Sequence, residues 1–272
     1  NALLINVIQC LENKSCLKSL ELMSNFWSLE SLSRGLSHLT MKNQIQSFKF
    51  EASDDTITSQ EKTWRRVEGL CNFMKNQKES LKAIHAYLSL TFDDNIVTHI
   101  AEAISKVIKL EKLSIWTNFS FADQTETLMS YFEKTLKSDI PAGSRKKLIK
   151  SKSWSPNLAK YLKRLQSLEE FTLRFDVLDP ERKESVRWFV DVMKALTGLE
   201  RLRNVQISMH DGGSLQSMEE KIVSAVLEMK NVKEICMEMF DSTGYFMPDY
   251  FELKKAIRFV NRRQALSSDL MF

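Results

Sequence analysis

The sequence predicts an α/β solenoid, a parallel sheet covered on one side by helices and built from one short unit used repeatedly. Three observations carry this prediction. Short alternating apolar segments return at a spacing of roughly 30 residues, the range of solenoid repeats. Each is followed by a longer stretch with apolar residues at helical spacing. Gly and Pro number only 7 and 4 in 272 residues, which argues against a turn-rich all-β sandwich and a linker-rich chain.

Taken in order, Ala2–Leu11 reads as half of an amphipathic helix. The form apolar-x-x-apolar-x-apolar then appears at Leu17/Leu20/Leu22, Ile45/Phe48/Phe50, Leu81/Ile84/Ala86, Leu110/Leu113/Ile115, Leu168/Phe171/Leu173, Leu202/Val205/Ile207 and Val232/Ile235/Met237. Successive starts differ by 28, 36, 29, 58, 34 and 30 residues. Each segment predicts a strand of about five residues. The helical stripes follow as Leu29/Leu32/Leu36/Leu39, Trp64/Val67/Cys71/Met74 and Val97/Ile100/Ile104/Val107. Later ones are Leu128/Phe132/Leu136, Leu158/Tyr161/Leu162/Leu165, Val186/Phe189/Met193/Leu196 and Ile222/Val226/Met229. Helix starts are marked by Ser155-Pro156 and Asp179-Pro180, a capping side chain before a proline at the first helical position. Ser217 with Glu220 fits a capping box. Strand, helix, strand in alternation predicts parallel neighbours joined by helical crossovers. One unit cannot bury both its strand and its helical stripe, so the units must stack.

This pattern resembles the leucine-rich repeat family, in its long-repeat, ribonuclease-inhibitor-like branch, from Leu17 to about Arg263. The family pattern continues with Asn three residues after the third apolar position, where its side chain satisfies backbone groups of the turn. Asn25 with Trp27 and Asn118 fit that place, and Asp176 with Leu178 is a near match. Ser53, Ser89, His210 and Phe240 stand there otherwise, so the array is degenerate. The resemblance implies a horseshoe with the sheet on the concave side and helices on the convex side. Residues 1–272 then form a single solenoid of about seven or eight repeats.

The 58-residue interval holds Leu128–Leu136 and then a basic stretch at 138–157. Arg145, Lys146, Lys147, Lys150 and Lys152 lie there with Trp154, and no Asp or Glu falls between Asp139 and Pro156. Leu148-Ile149 reads as a degraded strand of an eighth repeat, or the stretch is a surface insertion. As a loop it is a candidate for contact with phosphates or an acidic protein surface, against the plainer reading of a solvated basic loop.

Overall charge is mild, 39 Lys and Arg against 35 Asp and Glu, and implies neither nucleic acid nor membrane by itself. Cys10, Cys16, Cys71 and Cys236 include no Cys-x-x-Cys pair and read as reduced core thiols. No apolar run reaches membrane length. The first residue is Asn1 with no basic region before the helix, which does not read as a signal peptide and is expected of a chain that begins inside a larger protein or after a removed segment. These features place the expectation in an intracellular, reducing compartment, with the cytoplasm as default and organelles left open.

Catalytic motifs are missing from the sequence. His38, His85, His99 and His210 show no zincin spacing, and phosphate-binding glycine loops and a nucleophile elbow are absent. Asp54-Asp55 and Asp93-Asp94 read as helix caps. The expectation is a protein that is not an enzyme and needs no cofactor or metal.

Binding is expected on the sheet. Residues between the buried positions of a strand point to its other face, and the resemblance implies that this concave face meets a protein. It would carry Ser19, Glu21, Ser47, Lys49, Gln206, Ser208, Cys236 and Glu238 toward its ends. The predicted centre is His85, Tyr87, Lys112, Ser114, Trp116, Thr172 and Arg174. Tyr87 and Trp116 are the expected anchors, because Tyr, Trp and Arg dominate interface hot spots. For Trp116 a sideways turn over a loop is the competing reading. The leading expectation is a non-catalytic interaction module, a scaffold fixed in a larger assembly. The alternatives are a structural subunit packing through convex helices and the basic loop, and a nucleic-acid-contacting subunit using Arg145–Lys152.

Overall fold

The computed structural model describes residues 2–11, 16–23, 29–39, 44–54, 60–90, 94–117, 155–176, 183–210, 219–240 and 251–269. Its seven strands are β1 (Ser19–Leu22), β2 (Ser47–Asp54), β3 (Ala83–Leu90), β4 (Lys112–Thr117), β5 (Glu170–Asp176), β6 (Asn204–His210) and β7 (Glu234–Phe240). They form one sheet in sequence order, and every neighbouring pair is parallel. The strands begin just after the first apolar residue of each predicted segment. Those first residues, Ile45, Leu81, Leu110, Leu168, Leu202 and Val232, are buried beneath the strand entrance.

A single backbone device sets the register at every entrance. Gln46 and Ser47 both donate their N–H groups to the Lys18 carbonyl. Lys82 and Ala83 do the same to Gln46, Glu111 and Lys112 to Lys82, and Glu169 and Glu170 to Glu111. Arg203 and Asn204 then donate to Glu169, and Lys233 and Glu234 to Arg203. The accepting and donating positions step along the chain at the intervals of the apolar segments. Since a slip of one residue would turn every strand's buried set to the other face, this shared rung holds the apolar positions on one side.

The second layer consists of α1 (Ala2–Leu11), α2 (Leu29–Leu36), α3 (Gln60–Asn76), α4 (Asp94–Ile104), α5 (Ser155–Leu162), α6 (Lys183–Thr197), α7 (Glu219–Glu228) and α8 (Phe251–Asp269). Each helix packs on the next in sequence. One continuous core lies between the layers, with Phe48, Phe50, Phe73, Phe171 and Phe189 fully buried in it. Phe48 stacks on Phe50 and meets Phe73 of α3 at 4.7 Å between ring centroids. Ile100 and Ile104 are buried, as the α4 stripe requires.

Small residues set the helix spacing at two places. A Cβ on Gly69 would run into the Ser33 carbonyl oxygen, so α2 and α3 touch backbone to backbone. The buried Ser33 hydroxyl accepts a hydrogen bond from the Leu70 N–H at 3.2 Å. A Cβ on Gly35 would meet Ile8 Cδ1 at 2.7 Å, bringing α1 close in the same way.

Several expectations change. The apolar stripes outrun their helices: Leu39, Val107, Leu165 and Met229 are buried but lie beyond the helical ends. Asp54 is no helix cap, because β2 extends to it and α3 begins only at Gln60. Only Cys71 is a core thiol; Cys10, Cys16 and Cys236 are exposed. Cys10 lies off the Leu4–Ile8 stripe of α1, and Cys236 alternates to the outer face of β7. Asp94 does open α4, and Ser155 opens α5. β4 pairs directly with β5. Leu128–Leu136, the basic residues Arg145, Lys146, Lys147, Lys150 and Lys152, Leu148-Ile149, Trp154, Asp179-Pro180, Ser217, Asn25 and Asn118 lie outside the described residues.

Candidate functional site

The sheet face turned away from the helices is organised in rows by the register. One row runs Ser19, Ser47, Ala83, Lys112, Glu170, Asn204, Glu234. The next runs Glu21, Lys49, His85, Ser114, Thr172, Gln206, Cys236. The third runs Glu51, Tyr87, Trp116, Arg174, Ser208, Glu238. All seven residues expected at the centre fall on this face, on the adjacent strands β3, β4 and β5. None of the described residues of these rows is fully buried.

The third row holds a run of ring and cation contacts. Tyr87 and Trp116 have ring centroids 4.9 Å apart with planes tilted by 47°. The Arg174 guanidinium carbon lies 4.3 Å from the Trp116 centroid, and Lys49 Nζ lies 5.7 Å from the Tyr87 centroid. Parallel strands about 4.8 Å apart present direct neighbours at this spacing, so the register itself sets these contacts. Trp116 therefore stands on the open face between Tyr87 and Arg174. The attraction of a cation for a ring face helps hold the side chains in order without burying them.

Two ion pairs flank these contacts. Lys49 Nζ meets Glu21 Oε1 at 2.7 Å, and Lys112 Nζ meets Glu170 Oε1 at 2.9 Å. Both pairs are direct cross-strand neighbours, and both remain substantially exposed. Exposed pairs of this kind add little to stability, so they organise charge more than they hold the fold. The hydrogen bond to Glu21 raises the Lys49 ammonium above its ordinary pKa. His85 sits between the two lysines, and burial, then Lys49, then Lys112 lower its pKa, opposed by Glu21 and Glu170. Its ring is therefore neutral at neutral pH.

The sequence puts Glu21, Lys49, Lys112 and Arg174 on this face without pairing them. The signal was present. Glu21 and Lys49 occupy the same position of consecutive repeats, as do Lys112 and Glu170, and equal positions in parallel neighbours stand opposite each other. The contact of Arg174 with Trp116 follows from the same equality.

The side chains on this face offer ring, cation and carboxylate contacts. Among the described residues no group of three or more His, Cys, Asp or Glu is placed to hold a metal ion. Among them, too, no helix is long and apolar enough to cross a membrane. Compared with protein-family models and with curated proteins, the chain matches none.

Proposed function

We propose that the chain is a non-catalytic protein-interaction module, a solenoid of the leucine-rich repeat type whose open sheet face docks a protein within a larger assembly. The observation that carries this reading is the Tyr87–Trp116 pair, held half-exposed in the middle of the sheet with Arg174 against it. Large rigid rings lose little conformational entropy on binding and cover much apolar area. Flanking ion pairs supply a polar rim that sets orientation more than affinity. The seven parallel strands with alternating helices support the repeat reading, as does the entrance rung that recurs at each strand. In that architecture the sheet face is a broad, regular platform, suited to a protein surface more than to a small molecule.

A photoreactive residue placed at Ser114, between His85 and Thr172, tests the reading in extracts of the source cells. The expected result is crosslinking to one discrete protein, abolished by Tyr87→Ala. Equal crosslinking from Leu227, exposed on α7, would contradict it.

A further inference from the structure

The charges of the open face are unevenly answered. Lys49 is paired with Glu21 and Lys112 with Glu170. Arg174 has no carboxylate partner within the three described rows; its contact there is the Trp116 ring. Its direct neighbours across the strands are Trp116 and Ser208, and the diagonal ones in the second row are Ser114 and Gln206, all uncharged. The ring lies 4.3 Å from the guanidinium carbon, and the N–H donors, set in the rigid fork of an Arg side chain, meet no carboxylate within the three rows. That fork matches a carboxylate in a bidentate pair.

From this we propose that the docked partner presents a carboxylate to Arg174 and lays an adjacent apolar side chain over Tyr87 and Trp116. The occupant is thus a protein segment in which Asp or Glu lies beside an aromatic or large aliphatic residue. This rests on the reading of the open face as a protein-binding surface and names what that surface selects.

The surrounding charge distinguishes such a segment from a polyanion. Across the three rows the cations are Lys49, Lys112 and Arg174, while the carboxylates are Glu21, Glu51, Glu170, Glu234 and Glu238. Acidic residues close the third row at both ends, Glu51 on β2 and Glu238 on β7. A nucleic-acid backbone crossing the sheet would meet them, whereas a single carboxylate at Arg174 does not. The guanidinium against the ring also loses less freedom on pairing than an extended Lys would.

The test is a selection of phage-displayed random dodecapeptides on the full chain, followed by affinity measurement with synthetic peptides. Enriched sequences should place Asp or Glu close to Trp, Phe or Leu. Replacing that carboxylate by its amide should weaken binding about tenfold, and Arg174→Met should do the same, with the two losses not additive. Arg174→Lys should recover little, because the charge returns without the fork. Peptides that need Tyr87 and Trp116 but ignore both the amide replacement and Arg174→Met would overturn the carboxylate inference and leave the docking face standing. Enriched peptides indifferent to Tyr87→Ala and Trp116→Ala, or no enrichment at all, would overturn both. If Arg174→Met fails to fold, amide replacement on the wild-type chain decides.

Discussion

Asn261 binds Ile235 with both ends of its side-chain amide. Its Oδ1 accepts from the Ile235 N–H at 2.9 Å, and its Nδ2 donates to the Ile235 carbonyl at 3.1 Å. The neighbouring Glu234 N–H donates to Arg203, toward β6. Successive backbone groups alternate sides along a strand, so those of Ile235 face the outer edge of β7, the last strand in the order. One side chain of α8 thus replaces the rung that another strand would give, at an edge that otherwise invites pairing. Asn261→Leu should cost about 1–3 kcal/mol, the range for leaving such groups unsatisfied. Hydrogen exchange at the Ile235 amide checks it: protection should fall, and unchanged protection would show that the edge is satisfied otherwise.

Gly69→Ala should be far more damaging than an exposed helical substitution. The added methyl would run into the Ser33 carbonyl oxygen, so α2 and α3 must separate. Backbone cannot yield as a flexible side chain does, and overpacking of this kind costs about 1–3 kcal/mol or more. Since Ala has the higher helix propensity by about 1 kcal/mol, a stabilised variant in a urea titration would refute the close approach.

The four thiols should separate by reactivity. Burial pushes the Cys71 thiol up to about 12, and its Sγ donates to the His99 carbonyl at 3.5 Å. A raised thiol pKa means less thiolate at any given pH, and thiolate is the nucleophile. Cys10 and Cys16, exposed on the surface, should alkylate readily in the native protein. Cys236 should lag behind them, because partial burial, then Glu238 and Glu234, raise it as well. Mass spectrometry after iodoacetamide treatment should find Cys71 unmodified until denaturant is added; rapid native modification would place it outside the core.

His85 should make stability pH-dependent. Its folded pKa lies below the ordinary 6.5, from burial and then the nearby Lys49 and Lys112. A base with a depressed folded pKa contributes stability above its unfolded value and loses it as pH falls through the folded one. Stability should therefore decline below about pH 6.5 more steeply than in His85→Gln. Parallel pH curves for the two proteins would remove the histidine from the account.

The sequence-based reading was closest where packing dictates pattern. Ile45, Leu81 and Leu110 occur at the intervals where buried residues start strands, so the parallel order of the sheet was legible. Face assignments along β3 to β5 were legible for the same reason, since alternation has only two phases. Helix ends were not, because Leu39 and Val107 continue the apolar stripe through turns that also face the core. Asp54 misled because a longer β2 displaced the helix start it resembled. For the thiols, Cys10 has apolar neighbours in sequence, yet the side of α1 on which it lies decides its exposure. At the candidate site, the individual residues were readable and their pairings were not drawn, because pairings belong to two repeats at once.

The most direct test of the central claim compares two surfaces of the full chain against its native partner, with binding measured by calorimetry at several salt concentrations. Tyr87→Ala and Trp116→Ala should each weaken binding by about 1–4 kcal/mol, the range of hot-spot truncations, while the chain stays folded. Charge reversal at Lys146 and Lys147 should matter much less. Binding that survives both aromatic truncations, collapses on that charge reversal and falls steeply with salt would contradict it.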